Sequence, residues 1–441
     1  MVNGWFDAAS GLPWHPVTVE ALRAAAEDGW ADPSRLPGPG RRSAVLLNAA
    51  RETVAAGLGV QPDEVVFTDS GARALQLAIL GTLAGRQRVG RTLVRSAVEH
   101  SVALKAAAWH DGPVVEVGVD SYGRVDVDAF DRASAEPGVA VAVLQAANHE
   151  VGTIQPAVDT RAVPLVVDAS HSILYGGPPT QAAVFTLDAR LWGGPDVGIL
   201  VIRRGTRWQP PFPTDESEGG RGLGTPDVPA IVAAAASLRA FRTDPAGPRL
   251  RSYVDRLRRE VPRLVPDCEV LGHPGERLPH IVTFSCLYAD GEALLTELDR
   301  RGFAVSSGSS CTSDTLTPSH VLVAMGALTS GNLRISLHPG VDQADIDRFL
   351  TVLPEVVADV RAQLPAPSTA EAVHTVDSRG RRCPLPILDL ARALPKLEVG
   401  DQLVVLADDP AAGPDIAAWC RMTGQELLAS QPERFTVRRL R

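Results

Sequence analysis

Between about residues 45 and 240, short apolar runs alternate with helical patterns, and this order restricts the fold to a parallel sheet covered by helices. Residues 44–58 have helical spacing that stops at Gly59, residues 64–68 read as a strand and residues 72–83 as the next helix. Further strands are predicted over 92–95, 139–144, 164–167 and 197–202. Polar residues follow several of these runs directly: Asp69-Ser70-Gly71, Glu99-His100, Asn148-His149-Glu150 and Asp168. Open parallel sheets bind ligands beyond the carboxyl ends of their strands, so the four clusters are expected to converge on one cleft.

The chain has 441 residues, too many for one ordinary core, and its length implies roughly two to four compact units. A second region over 229–364 opens with a long Ala/Leu/Arg helical pattern, followed by strands at 280–286 and 332–337. Between them lies Ser306-Ser307-Gly308-Ser309-Ser310-Cys311-Thr312-Ser313, which carries no packing payload and by composition alone is a connecting loop. Leu364-Pro365-Ala366-Pro367-Ser368-Thr369-Ala370 has linker composition. Beyond it, strands at 373–376, 402–407 and 435–440, with helices to about 394 and around 416–422, predict a compact α+β unit.

Apolar residues make up 45% of the chain and charged residues 22%, the balance of a soluble globular protein. A net charge of −9 argues against general nucleic-acid or membrane-surface binding. The start, Met1-Val2-Asn3-Gly4-Trp5-Phe6-Asp7, has neither the cationic residues nor the apolar run of a secretory signal, so a cytoplasmic location is the default expectation. Five cysteines, odd in number and scattered, do not form a disulfide framework or a zinc-spacing cluster. No metal site is expected.

Taken singly, the cleft residues are weak signals: an Asp at a strand end caps helices, a lone His such as His100 is usually structural, and a free cysteine is usually a small buried hydrophobe. Cys311 differs in its polar neighbours, and Cys383 in its setting. Cys383 stands before Pro384 at a predicted helix start, where unpaired amides and the helix dipole lower a thiol pKa.

Larger patterns carry a family resemblance. Trp5-Phe6-Asp7-Ala8-Ala9-Ser10, Val98-Glu99-His100, Asn148-His149-Glu150-Val151-Gly152-Thr153, Val167-Asp168-Ala169, the Cys311 loop and Leu333-Arg334-Ile335-Ser336 together resemble the cysteine desulfurases of the class V aminotransferase fold. The resemblance implies an α/β body of the type I pyridoxal-phosphate-transferase fold over 1–363. Its large domain, with a mixed, mostly parallel sheet, would span about 20–240, and a small α+β domain about 241–363 with the N-terminus. It also implies a homodimer. By position, His100 would stack on the cofactor ring, Asp168 pair with its nitrogen, Asn148 approach its hydroxyl, and His171 stand where the family has glutamine. Arg334 would hold the substrate carboxylate, Cys311 receive the sulfur, and Thr225 reach the phosphate of the neighbouring protomer.

Departures from the pattern cluster on cofactor anchoring. Val184 to Pro195 resembles the family's Phe-Ser-x-His-Lys segment and Gly-Pro turn, but the lysine is Arg190, the histidine Ala189 and the phosphate-binding serine Leu187. In the Ser70-Gly71-Ala72 turn the family's threonine is Ala72. A guanidinium stays protonated and has no free amine to condense with an aldehyde, so covalent attachment of pyridoxal phosphate is expected to be absent. Backbone amides at Gly71 and Ala72, opening a helix, remain able to cradle an anion.

Residues 373–441, after a linker at 364–372, resemble the TusA-like sulfur carriers, a two-layer α+β family, through Asp377, Gly380, Cys383-Pro384-Leu385-Pro386, Asp408-Asp409-Pro410, Asp415-Ile416, Trp419-Cys420 and Gly424. In that family the cysteine carries a persulfide. The fusion implies a sulfur relay through Cys311 and Cys383, fed by cysteine or by another desulfurase's persulfide and delivering to a downstream acceptor protein. Three versions stay open: a desulfurase that binds its cofactor non-covalently, a cofactor-free carrier or scaffold, and another pyridoxal-phosphate enzyme such as an epimerase or lyase.

Overall fold

The computed structural model describes residues 4–243, 246–307, 317–364 and 374–441. Among these residues, seven strands build the main sheet: β1 (Val65–Thr68), β2 (Thr92–Ser96), β3 (Val114–Val117), β4 (Val139–Val143), β5 (Leu165–Asp168), β6 (Val184–Asp188) and β7 (Gly198–Ile202). Their spatial order is β1-β7-β6-β5-β4-β2-β3. β7 runs antiparallel to both neighbours, while the remaining strands share one direction. The sheet is buried on both faces at its centre, so β4 and β7 read as unbroken apolar runs in the sequence. Two strands depart from the sequence expectation. β3 is an edge strand with three exposed residues, and β6 ends in polar Thr186 and Asp188 despite being buried throughout.

Helices cover both faces. α1 (Pro16–Asp28) and α2 (Gly38–Leu58) lie on one side, α3 (Gly71–Arg86) and α4 (Ser101–Trp109) on the other, and α5 (Val127–Ala135) and α6 (Val228–Arg242) return to the first. Gly59 ends α2 as expected, at φ 65°, a left-handed conformation that costs a residue with a side chain but suits glycine. The single long helical pattern expected after residue 229 is divided between α6 and α7 (Ala246–Leu264).

A second unit follows, with β8 (Cys268–Leu271), β9 (Ile281–Cys286), α8 (Gly291–Arg300), α9 (His320–Met325), β10 (Asn332–Ser336) and α10 (Gln343–Ala362). Its sheet has the antiparallel order β10-β9-β8. The N-terminal segment belongs to this unit: Trp5 and Asp7 form bridges with Ala304 and Ser336, and Phe6 packs between Phe303 and Phe349 at ring separations of 5.3 and 5.4 Å.

In the C-terminal unit, β11 (Thr375–Asp377), α11 (Leu385–Ala393), β12 (Gln402–Leu406), α12 (Ala412–Thr423), β13 (Glu426–Gln431) and β14 (Arg434–Arg438) form a sheet of order β11-β12-β14-β13 with two helices. β13 was not anticipated; it carries an irregularity between Leu427 and Ala429 that interrupts its alternation. This unit is seated on the second one, because Leu287 and Leu328 join the same apolar cluster as Ile387, Ile416 and Trp419. No helix among the described residues is long and apolar enough to cross a membrane.

Candidate functional site

The strand-end clusters do converge. Asp168 ends β5, and its carboxylate accepts hydrogen bonds from the Ser170 backbone N–H and hydroxyl at 3.1 and 2.6 Å. His100 caps α4 through Nδ1, which accepts from the Val102 N–H at 3.2 Å. Its ring lies 4.9 Å from that of His149, which stacks 5.9 Å from His171. Arg334 on β10 closes the group from the second unit, donating to Asp7 at 2.7 Å, Ser10 at 2.8 Å and the His149 carbonyl at 3.3 Å. Asn148 is fully buried: its Oδ1 accepts from the Glu150 and Val151 N–H groups of its own turn, and its Nδ2 donates to the Val98 carbonyl of a neighbouring segment.

Arg334 is the positive charge that faces the cleft imidazoles. Burial, with His100, His171 and Arg334 adding to it, holds the His149 imidazole well below its ordinary value. Burial, His280 and Arg334 do the same for His171, whose Nδ1 is buried without a partner. His280, just before β9, is depressed to about 3 by burial and Arg334. These three imidazoles are therefore neutral, and the guanidinium is the fixed charge among them.

Glu99 lies beneath the cleft, fully buried, with both carboxylate oxygens 3.0 Å from the Gln145 N–H. Burial raises its pKa to about 8, against the bond from Gln145 and with help from the Asp168 charge. In the unfolded chain it ionises near 4.5. Between those values the folded state holds a proton that the unfolded state has lost, so stability falls as pH rises through this window. Glu99→Gln, isosteric with the neutral acid, is expected to flatten the decline in Tm between pH 5 and 8, an effect on the order of a few kcal/mol at most. Thermal melts of both proteins across that range check this.

At the far end of the cleft, Ser70 caps α3, its Oγ accepting from the Arg73 N–H at 3.2 Å. A Cβ placed on Gly71 would stand 2.5 Å from Cβ of Asp188 and 2.9 Å from its Oδ2, so only glycine fits and the Asp188 carboxylate lies against the start of this helix. The neighbouring Ala72 is exposed. Arg190 folds back onto Asp188, its NH2 group at 2.8 Å and Nε at 3.3 Å from the carboxylate, with Asp196 at 3.6 Å. Leu187 and Ala189 point into the core and are fully buried. Burial raises the Asp196 pKa, Arg190 opposes it, and the charges of Asp188 and Asp69 raise it further. A cavity of about 450 Å3 opens beside these residues, lined by Asp69, Arg73, Asp196, Phe212 and Thr225. Thr225 is exposed on its wall.

The second site is Cys383, immediately before α11. Its thiol is raised well above the ordinary value by burial and by the Asp415 and Asp409 carboxylates, the reverse of the lowering expected from its place at a helix start. Asp409 also accepts from the Cys383 N–H at 3.3 Å. Asp290, Ala293, Val360 and Gln363 of the second unit line the cavity beside Cys383. Cys311 lies outside the described residues.

The sequence matches the family Aminotransferase class-V over residues 5–184 and 214–349, and the family Sulfurtransferase TusA over residues 374–438. The chain belongs to the class-V aminotransferases and ends in a TusA domain. The cysteine desulfurase of Nostoc sp. is 34% identical to it over 370 residues, covering 79% of this chain and 92% of that protein. Cysteine desulfurase IscS of Methanosarcina thermophila is 30% identical over 381 residues, covering 82% and 93%. Two solved structures share the fold of the class-V body. A NifS-like protein superposes with a TM-score of 0.74 at 24% identity, over 81% of this chain and all of that one. The apo cysteine desulfurase of Thermococcus onnurineus NA1 gives 0.70 at 19% identity, over 80% and 94%.

Sequence reasoning missed several residues of this class-V site and its TusA domain. Asp188 passed as a spacer between Leu187 and Ala189, and nothing in its neighbours reveals that it meets Gly71. His280 stands at the start of a strand with no motif around it. On the TusA domain, Asp415 and Trp419 belong to the motif, yet their partners Thr329 and Tyr288 are 86 and 131 residues away in sequence.

Proposed function

We propose that this class-V aminotransferase passes sulfur as a persulfide through Cys311 and Cys383, and that its body works without covalently held pyridoxal phosphate. Its relatives' names and its TusA domain put the chain in sulfur mobilisation. The finer reading rests on one observation, the clamp of Arg190 on Asp188 against the start of α3. At that point the chain has no amine for an aldehyde, and the Asp188 carboxylate lies beside Gly71 at the start of the helix whose amides would receive a phosphate. Asp69 and Asp196 add negative charge nearby. The residues present do not fit a phosphorylated aldehyde.

In the transfer step, the Cys383 thiolate attacks the outer sulfur of a donor persulfide. The donor's S–S bond breaks, its thiolate leaves, and the sulfane sulfur remains on Cys383. Only a thiolate performs this attack. In the seated arrangement Asp415, Asp409 and burial all disfavour that thiolate, which supports a carrier that loads after leaving its seat.

Purified chain given a desulfurase persulfide is expected to gain one sulfur atom on the Cys383 peptide by mass spectrometry, and Cys383→Ser to lose that gain entirely. Absence of added sulfur with both persulfide and cysteine as donors counts against the carrier. Release of alanine from cysteine at turnover rates, lost in Cys311→Ala, would sink the cofactor-free body and favour the non-covalent desulfurase.

A further inference from the structure

Away from both sites, Cys268 on β8 and Cys286 on β9 face each other directly in the antiparallel ladder, their sulfur atoms 3.4 Å apart. They form a pair of the non-hydrogen-bonded kind. The adjacent pair carries the ladder bond, from the Leu287 N–H to the Asp267 carbonyl at 2.9 Å, while the Cys286 N–H turns to Gly331 on the other side. Side chains approach most closely at such positions. β8 is the edge of its sheet, so Cys268 is partly buried while Cys286 is buried. Arg361 of α10 binds the strand ends around them, donating to the Leu287 carbonyl at 2.8 and 3.1 Å and to the Pro266 carbonyl at 2.9 Å.

We infer that Cys268 and Cys286 are a redox-active dithiol that exchanges with low-molecular-weight disulfides. The sulfurs share one hydrogen bond, from the Cys286 thiol to Cys268, so the first proton leaves the pair more easily than the second. That hydrogen bond raises the Cys268 thiol and lowers the Cys286 thiol, burial raises both and Arg361 lowers both, so the first thiolate forms on Cys286 and passes to Cys268 by return of the shared proton. The Cys268 thiolate, on the edge strand, attacks one sulfur of a small disulfide, breaking its S–S bond and expelling one small thiolate. Cys286 loses its proton and attacks the Cys268 sulfur of the mixed disulfide, expelling the second. Two protein thiols give up two protons and two electrons, and the small disulfide becomes two thiols. Closing the bond brings the sulfurs to about 2.05 Å, an approach that side-chain rotation supplies.

The pair lies beneath the seat of the C-terminal domain. Glu269, next to Cys268, holds Arg421 at 2.8 and 2.9 Å. Leu287 and Tyr288, next to Cys286, meet the same domain, Tyr288 accepting from the indole N–H of Trp419 at 2.9 Å. A disulfide formed there would be carried by the two strands that hold the sulfur carrier.

The full chain should be incubated with oxidised glutathione, alkylated, and digested without reductant. The expected product is a Cys268 peptide joined to a Cys286 peptide with the loss of two hydrogens, reversed by reductant. Cys286→Ser should instead retain glutathione on Cys268. Recovery of both cysteines as free alkylated thiols from the unaltered chain in excess oxidised glutathione overturns the inference. So does their joining to other cysteines in place of each other.

Discussion

Replacing Asp415 with alanine is expected to free the TusA domain from its seat and to speed alkylation of Cys383 by a small uncharged reagent by at least about tenfold. Asp415 is fully buried on α12, yet it serves the other unit: one carboxylate oxygen accepts from the Thr329 N–H and hydroxyl at 2.6 and 2.8 Å, the other from the Ser330 N–H at 3.2 Å. Alanine would leave these donors without their partner while the domain stays seated. Each buried donor so stranded costs about 1–3 kcal/mol, and tenfold in an equilibrium needs only about 1.4 kcal/mol. The surface ion pair of the seat is weaker. Arg421 and Glu269 are partly exposed, and such pairs contribute about 0–1 kcal/mol. Loss of the Asp415 charge also removes one of the influences that raise the Cys383 thiol, so exposure and ionisation push reactivity the same way. Arg421→Ala should therefore change the alkylation rate by about fivefold or less. Unaltered Cys383 reactivity in a folded Asp415→Ala protein would show that the carboxylate does not hold the domain down.

The same contacts explain which parts of the molecule are legible in sequence. Strands such as β4 and β7 are apolar on both faces and announce themselves, whereas β3 is a short exposed edge and β6 hides buried polar residues inside a sheet. Convergence of Asp168, His100 and the turn at Asn148 follows from topology alone, because parallel strands end on the same side. Arg334 enters the cleft from another unit, and only the family pattern brings it there in advance. Local rules fail where distant charge decides. At Cys383 the helix start argues for a lowered thiol, but Asp409 and Asp415 come from later segments and, with burial, reverse the sign. At the start of α3 the amides suggest an anion site, and Asp188, more than a hundred residues away, brings a carboxylate up beside Gly71.

That carboxylate makes Arg190→Lys an informative substitution through its expected failure. The single variant should capture little pyridoxal phosphate at position 190, while Arg190→Lys combined with Asp188→Ala should capture at least about tenfold more. A lysine alone would inherit the contact with Asp188, and two unit charges about 4 Å apart attract by about 4 kcal/mol at the effective dielectric of a protein surface. The ammonium would be favoured, yet only the neutral amine condenses with an aldehyde. The incoming phosphate would also meet Asp188 across Gly71, with Asp69 and Asp196 close by. Removing Asp188 relieves both effects at once: the amine releases its proton more readily and the start of α3 loses a neighbouring negative charge. The gain is bounded, because Leu187 and Ala189 are turned into the core and donate nothing to a phosphate. Borohydride trapping followed by mass spectrometry of the peptide containing position 190 measures the capture in each protein. Equal labelling of the single and double variants would mean that Asp188 is no obstacle, and that loss of the amine alone separates this cleft from one that anchors a cofactor.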